Sequence, residues 1–188
     1  MILLVFIFKS IFIAIAGGIL YLVYNFFRYR LLQSGKLSTK LDSQINKYYI
    51  IALIFISAAF TYRGYFPPDN FYFKEFEFVT LTKIPSSAEI VKKTSSYPDF
   101  HGDYCSSSLI ELSKEDYSKL YNDLSLGKNL QKTDKILNTD EFDKVLRRDK
   151  RDLIIQSYQR IIPGKIGNYN YISFLSDGKS IIINRSKI

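Results

Sequence analysis

A chain of 188 residues allows one domain, or one domain with appendages, and its 15 Tyr and 15 Phe make it aromatic-rich although Trp is absent. The formal charge of +8 suggests a polyanionic partner until it is located: Arg28, Arg30, Lys36, Lys40 and Lys47 stand against Asp42 alone within residues 28–47. Half of the excess thus lies between two apolar runs, which argues against nucleic acid, and a single cysteine excludes an intramolecular disulfide.

The first run, MILLVFIFKSIFIAIAGGILYLVYNFF, carries one charge, Lys9. About 20 apolar residues rising ~1.5 Å each cross a hydrocarbon core of roughly 30 Å. Residues 2–27 therefore read as a membrane span, with Lys9 near enough to an end to reach the headgroups. A cleaved leader is disfavoured, because no basic segment precedes the run and Lys9 divides it. The second run, YYIIALIFISAAFTYRGYF, covers residues 48–66, is bounded by tyrosines and stops at Pro67-Pro68. Five basic residues in the connector favour its retention in the cytoplasm. The expected anchor is a two-helix transmembrane hairpin over residues 1–66, multi-pass in the plasma (bacterial inner) membrane, with everything after it extracytoplasmic.

Ser10, Ala14 and Gly18 recur every four residues and place small side chains on one helical face. Such a face lets another helix approach closely in lipid. Its expected partner is the second span, at Ala52, Ser57, Ala58 and Ala59; oligomerisation through Ser10, Ala14 and Gly18 is the other use.

PPDN at 67–70 reads as a short linker, and residues 71–188 as an α+β domain. FYFKEFEFVTLT, rich in aromatic and β-branched residues, reads as a strand whose alternation switches parity near Lys74-Glu75. AEIVKKTS and YCSSSLIELS read as the next two strands. Ser113 then offers an N-cap with Asp116 three residues on, and Tyr117, Leu120, Tyr121 and Leu124 form one apolar stripe ahead of Gly127, which suits the position after a helix. NTDEFDKVLRRDK repeats the device, with Asn138 as cap and Phe142, Val145 and Leu146 facing inward. LIIQSYQRII is a further strand. YNYISFLSDGKSIIIN reads as a hairpin with a two-residue Asp177-Gly178 turn. The expected architecture is a mostly antiparallel sheet with two helices on one face.

The stretch SYPDFHGDYCSSS gathers the chain's only histidine and only cysteine. Asp99, His101, Asp103, Tyr104 and Cys105 form a candidate recognition loop, with Pro98 and Gly102 shaping a turn. His101 and Cys105 would lie ~13 Å apart on a strand, so a nucleophile–base pair needs a tight turn about Gly102. Metal binding by Asp99, His101 and Asp103 is geometrically easier, but a zinc site ordinarily uses three or four ligands, often several His or Cys. Lys144, Arg147, Arg148, Lys150 and Arg151 form a candidate basic patch for anionic headgroups or an acidic partner, balanced by nearby aspartates. No nucleotide-binding glycine pattern occurs, and no cofactor is expected.

These residues point to a membrane-anchored protein that presents a binding domain outside the cytoplasm, of envelope-accessory or immunity type. Its partners would be the bilayer and another membrane or extracytoplasmic protein. The alternative is a membrane-tethered enzyme or metal-binding protein using the His101/Cys105 loop.

Overall fold

The computed structural model describes residues 2–96, 102–127, 129–134, 139–164 and 167–187. The chain forms two units, Met1–Gly64 and Tyr65–Ile188.

The first unit consists of two long apolar helices, α1 (Ile2–Gln33) and α2 (Thr39–Tyr65). The helices extend well into the basic connector, so only residues 34–38 form the turn. RYRLLQ is made of helix formers and carries α1 onward; Gly35 then ends it at φ 69°, a conformation favoured by glycine. The Ser38 hydroxyl opens α2 by accepting from the Leu41 amide at 3.2 Å. Arg28 grips Asp42 through two nitrogens, Nε and Nη2, both at 2.6 Å, and Tyr24 donates to the same carboxylate at 3.1 Å. Deeper in the pair, Tyr49 donates to the Gly17 carbonyl. The close-packing residue of α1 is Gly17 rather than the expected Gly18. A Cβ on Gly17 would lie 2.8 Å from both Leu53 Cδ2 and Tyr49 Oη, whereas one on Gly18 would meet nothing within 4 Å. On α2, Ser57 is buried while Ala52, Ala58 and Ala59 are exposed. Small size selected the right kind of face, but Tyr21, Tyr24 and Tyr49 rotate the contact by one residue.

The second unit opens with a helix where a strand was expected: α3, Asp69–Thr80. Tyr72, Glu75, Phe76, Val79 and Thr80 are its buried residues, the spacing of one helical stripe. The apparent parity switch was this helical period, hidden by β-favouring aromatics. Asp69 and Asn70 belong to its first turn, so the linker shortens to Phe66-Pro67-Pro68. The helix ends at Leu81, held at φ 61° and ψ 19° while its amide bonds the Glu77 carbonyl at 2.9 Å. A left-handed conformation costs a non-glycine residue roughly 1–2 kcal/mol, and the Leu81 side chain is largely exposed. Leu81→Gly should therefore stabilise the unit by about 0.5–1 kcal/mol, read as a higher urea midpoint with unchanged slope.

Six antiparallel strands follow: β1 (Glu89–Ser95), β2 (Tyr104–Glu111), β3 (Gln131–Thr133), β4 (Ile154–Gln159), β5 (Tyr169–Leu175) and β6 (Ser180–Lys187). Their spatial order is β1-β2-β6-β5-β4-β3. The β5–β6 connection is longer than the expected two-residue turn. Ser176–Lys179 separate the strands, the Asp177 carboxylate accepts from the Lys179 and Ser180 amides, and Gly178 takes φ 70°.

Helix α4 (Lys114–Leu126) starts as expected, with the Ser113 hydroxyl accepting from the Asp116 amide at 3.1 Å. Gly127 follows it at φ −73°, so the stop does not use the left-handed freedom of glycine. The second expected helix is cut to α5 (Asp140–Val145), capped by Thr139, and Asn138 lies outside the described residues. Leu146 leaves helical geometry to enter the core, and Arg148–Leu153 close into a 3-10 turn.

The two expected helices lie on opposite faces rather than on one. Together, α3 and α4 bury Phe76, Val79, Tyr117, Leu120 and Leu124 against Ile110, Ile172, Phe174, Ile181 and Ile183. Across the sheet, α5 buries Phe142, Val145 and Leu146 against Ile182, Leu175 and Leu109. Consecutive residues of a strand point to opposite faces. An Ile181-Ile182-Ile183 run is therefore apolar on both sides and needs two covers.

Candidate functional site

One end of this sheet is polar on both faces. On the α3 side, the row Ser106–Arg185–Asn170 crosses β2, β6 and β5, and Glu75 descends onto it from α3. Glu75 is only 5 % exposed, and its carboxylate receives three side-chain donors: Arg185 Nη1 at 2.9 Å, Tyr104 Oη at 3.0 Å and Ser106 Oγ at 3.4 Å. Burial pushes the Glu75 carboxyl above its ordinary range, against the lowering pull of Arg185 and the Tyr104 hydroxyl. Burial and the adjacent Glu75 charge likewise push the Tyr104 phenol up, so it stays a donor.

Phe78 completes the cluster. The guanidinium of Arg185 lies 3.7 Å from its ring centroid and that of Arg160 lies 4.6 Å away. Arg160 also donates to the Phe78 carbonyl, one of the last-turn acceptors that α3 itself cannot satisfy. Charge, hydrogen bonding and ring contact thus fix α3 to the sheet. The carboxylate already holds three donors and the phenol is kept protonated, an arrangement suited to positioning a helix rather than to proton transfer.

Sequence reasoning missed this cluster because Glu75 was assigned to a strand. The signal available was the helical spacing of Tyr72, Phe76 and Val79 around it. Nothing local could have named Arg185, 110 residues away.

Of the candidate recognition loop, Asp103, Tyr104 and Cys105 are among the described residues. Asp99 and His101 lie outside the described residues, as does Pro98. Gly102 takes φ 80°, as a turn there requires. Tyr104 and Cys105 are adjacent on β2 and point to opposite faces: Tyr104 reaches Glu75 under α3, and Cys105 faces Thr139, Glu141 and Ser186 on the α5 side. One centre using both side chains is therefore excluded. Backbone bonds pin the strand at this point, with the Ser96 hydroxyl accepting from the Cys105 amide at 2.8 Å.

Burial pushes the Cys105 thiol up to about 11, assisted by the nearby Glu141 carboxylate. Nucleophilic catalysis needs the thiolate, and this environment holds the proton on. From the thiolate fraction alone, iodoacetamide labelling at pH 7.5 should run about 100-fold slower than for an ordinary thiol. The rate should then rise roughly tenfold per pH unit as the pH approaches 11.

Four of the five cations of the basic patch are paired with carboxylates. Asp143 holds Arg148 at 2.6 Å and Arg151 at 2.5 Å, Asp149 holds Arg147 at 3.1 Å, and Glu141 lies 3.9 Å from Lys144. Lys150 is exposed in the 3-10 turn. Arg148 and Arg151 fold back on α5 and Arg147 turns to Asp149 in the 3-10 turn, which favours a solvated helix end over an anion-binding face. Among the described residues, no group of three His, Cys, Asp or Glu side chains could hold a metal ion.

Comparison with protein-family models, with curated proteins and with solved structures finds no match for this chain.

Proposed function

We propose that the chain is a plasma-membrane protein, anchored by α1 and α2, that presents its α+β unit outside the cytoplasm as a binding domain. The observation that carries this reading is the outward apolar surface of the first unit. Phe12 is 73 % exposed, Leu22 68 %, Phe55 72 % and Phe60 61 %, while polar partners such as Tyr49 and Gly17 turn inward toward each other. Exposed aromatic and aliphatic side chains on two helices of spanning length suit lipid rather than water. The basic residues between Arg28 and Lys47 support a cytoplasmic turn.

The binding role rests on the α+β unit. Its charged cluster braces helix α3, its cysteine is kept as a thiol, and the long β1–β2 connection carries Asp103 at the polar end of the sheet. Tethering raises the effective concentration of such a binder for partners at the same membrane, which suits an envelope-accessory or immunity-type role. A photo-crosslinking residue at position 103 should give a discrete adduct in intact cells, and one at Asp123 on α4 should not. Equal or absent labelling at the two positions would remove the β1–β2 loop as a recognition element.

A further inference from the structure

On the α5 side of the sheet, β2 and β6 set Cys105 opposite Ser186 and Ser107 opposite Asn184. Further along, the pair becomes Leu109 opposite Ile182, which belongs to the apolar contact with α5. Helix α5 is thus seated on two unlike halves, and its Thr139 cap lies over the polar one, accepting from Asn184 Nδ2 at 3.4 Å. Ser107 and Asn184 are each 1 % exposed. Ser107 Oγ and Asn184 Oδ1 have no hydrogen-bond partner among the described residues.

A buried polar atom left unpaired is destabilising, and two such atoms face each other in this cross-strand pair. Directly opposed residues hold their Cβ atoms ~4.5–5.5 Å apart, a span that a single bridging molecule covers. Asn184 Oδ1 can only accept, whereas a serine hydroxyl both donates and accepts. The bridging molecule must therefore donate to one and can exchange either role with the other, and it must be small and neutral among hydroxyls and a protonated thiol. We propose that Ser107 and Asn184 bind one ordered water beneath the start of α5. It donates to Asn184 Oδ1 and shares a hydrogen bond with Ser107 Oγ, completing the polar half of the α5 seat.

The test is water–protein cross-relaxation by NMR on the full chain in detergent micelles, with asparagine side chains labelled. A long-lived water contact at the Asn184 side-chain amide is expected in the wild type. It should be lost in Ser107→Ala and retained in Ser125→Ala, an exposed site on α4. The double variant Ser107→Val/Asn184→Leu, which removes both polar atoms, should keep a cooperative unfolding transition. The proposal is overturned if the wild type shows no long-lived water there, or if the contact survives Ser107→Ala. A direct protein hydrogen bond to Asn184 Oδ1 would overturn it as well. Should Ser107→Ala fail to fold, the wild-type spectrum still decides.

Discussion

Glu75→Ala should destabilise the α+β unit by about 3 kcal/mol or more, because removing one member of a buried, hydrogen-bonded ion pair strands the other. Arg185, with 18 % of its side chain exposed, would keep its charge beside Phe78 without a counterion. Tyr104 and Ser106 would lose their acceptor as well. The double variant Glu75→Met/Arg185→Met removes both charges and should recover most of the loss. Equal losses in the single and double variants would show that the site contributes through shape rather than charge. The pH dependence has a defined sign. The folded-state carboxyl titrates above its ordinary value of 4.5, so the folded state holds this proton more tightly than the unfolded chain does. The proton-linked part of the Glu75 contribution is therefore fully present below about pH 4.5 and is lost as the pH rises through the folded-state value, which leaves the ionised pair with Arg185. Subtracting the Glu75→Gln profile from the wild-type profile isolates that component in urea titrations.

Phe174→Ala should cost about 3–5 kcal/mol, the usual range for emptying a fully buried aromatic site. Phe174 has no exposed surface and meets three tyrosine rings edge to face, Tyr121 at 5.1 Å, Tyr117 at 5.3 Å and Tyr158 at 6.0 Å. It is thus the residue through which α4, β4 and β5 share one core. Phe174→Leu keeps much of the volume and should cost less than half as much. Urea unfolding of the full chain in a non-denaturing detergent, followed by tyrosine circular dichroism, measures both. A cost near zero for Phe174→Ala would contradict the placement of the core.

Local signals in the sequence were reliable where the physics is local. The Ser113 hydroxyl and the Asp116 amide are three residues apart, so the start of α4 could be read directly. The same holds for the apolar stripe Tyr117, Leu120 and Leu124, all buried. Helix α3 was misread because aromatic composition and helical spacing disagreed. The spacing prevailed once Tyr72, Phe76 and Val79 had a sheet face to cover. The second cover on the sheet was legible in the unbroken Ile181–Ile183 run, since a strand with one wet face alternates. The Glu75 cluster was out of reach, because it depends on pairing β2 with β6 and on the rotation of α3. Only tertiary structure supplies either. In the first unit, the small residues near position 17 marked the contacting region, and the tyrosines decided which glycine lies at the contact.

If α1 and α2 cross a membrane as proposed, their connector lies in the cytoplasm and the α+β unit outside it. Paired reporter fusions after residues 36 and 188 test this topology most directly, using one reporter active only inside the cytoplasm and one active only outside. The cytoplasmic reporter should be active at 36 and the external reporter at 188. Cytoplasmic activity at both positions, with the protein recovered in the soluble fraction, would contradict it.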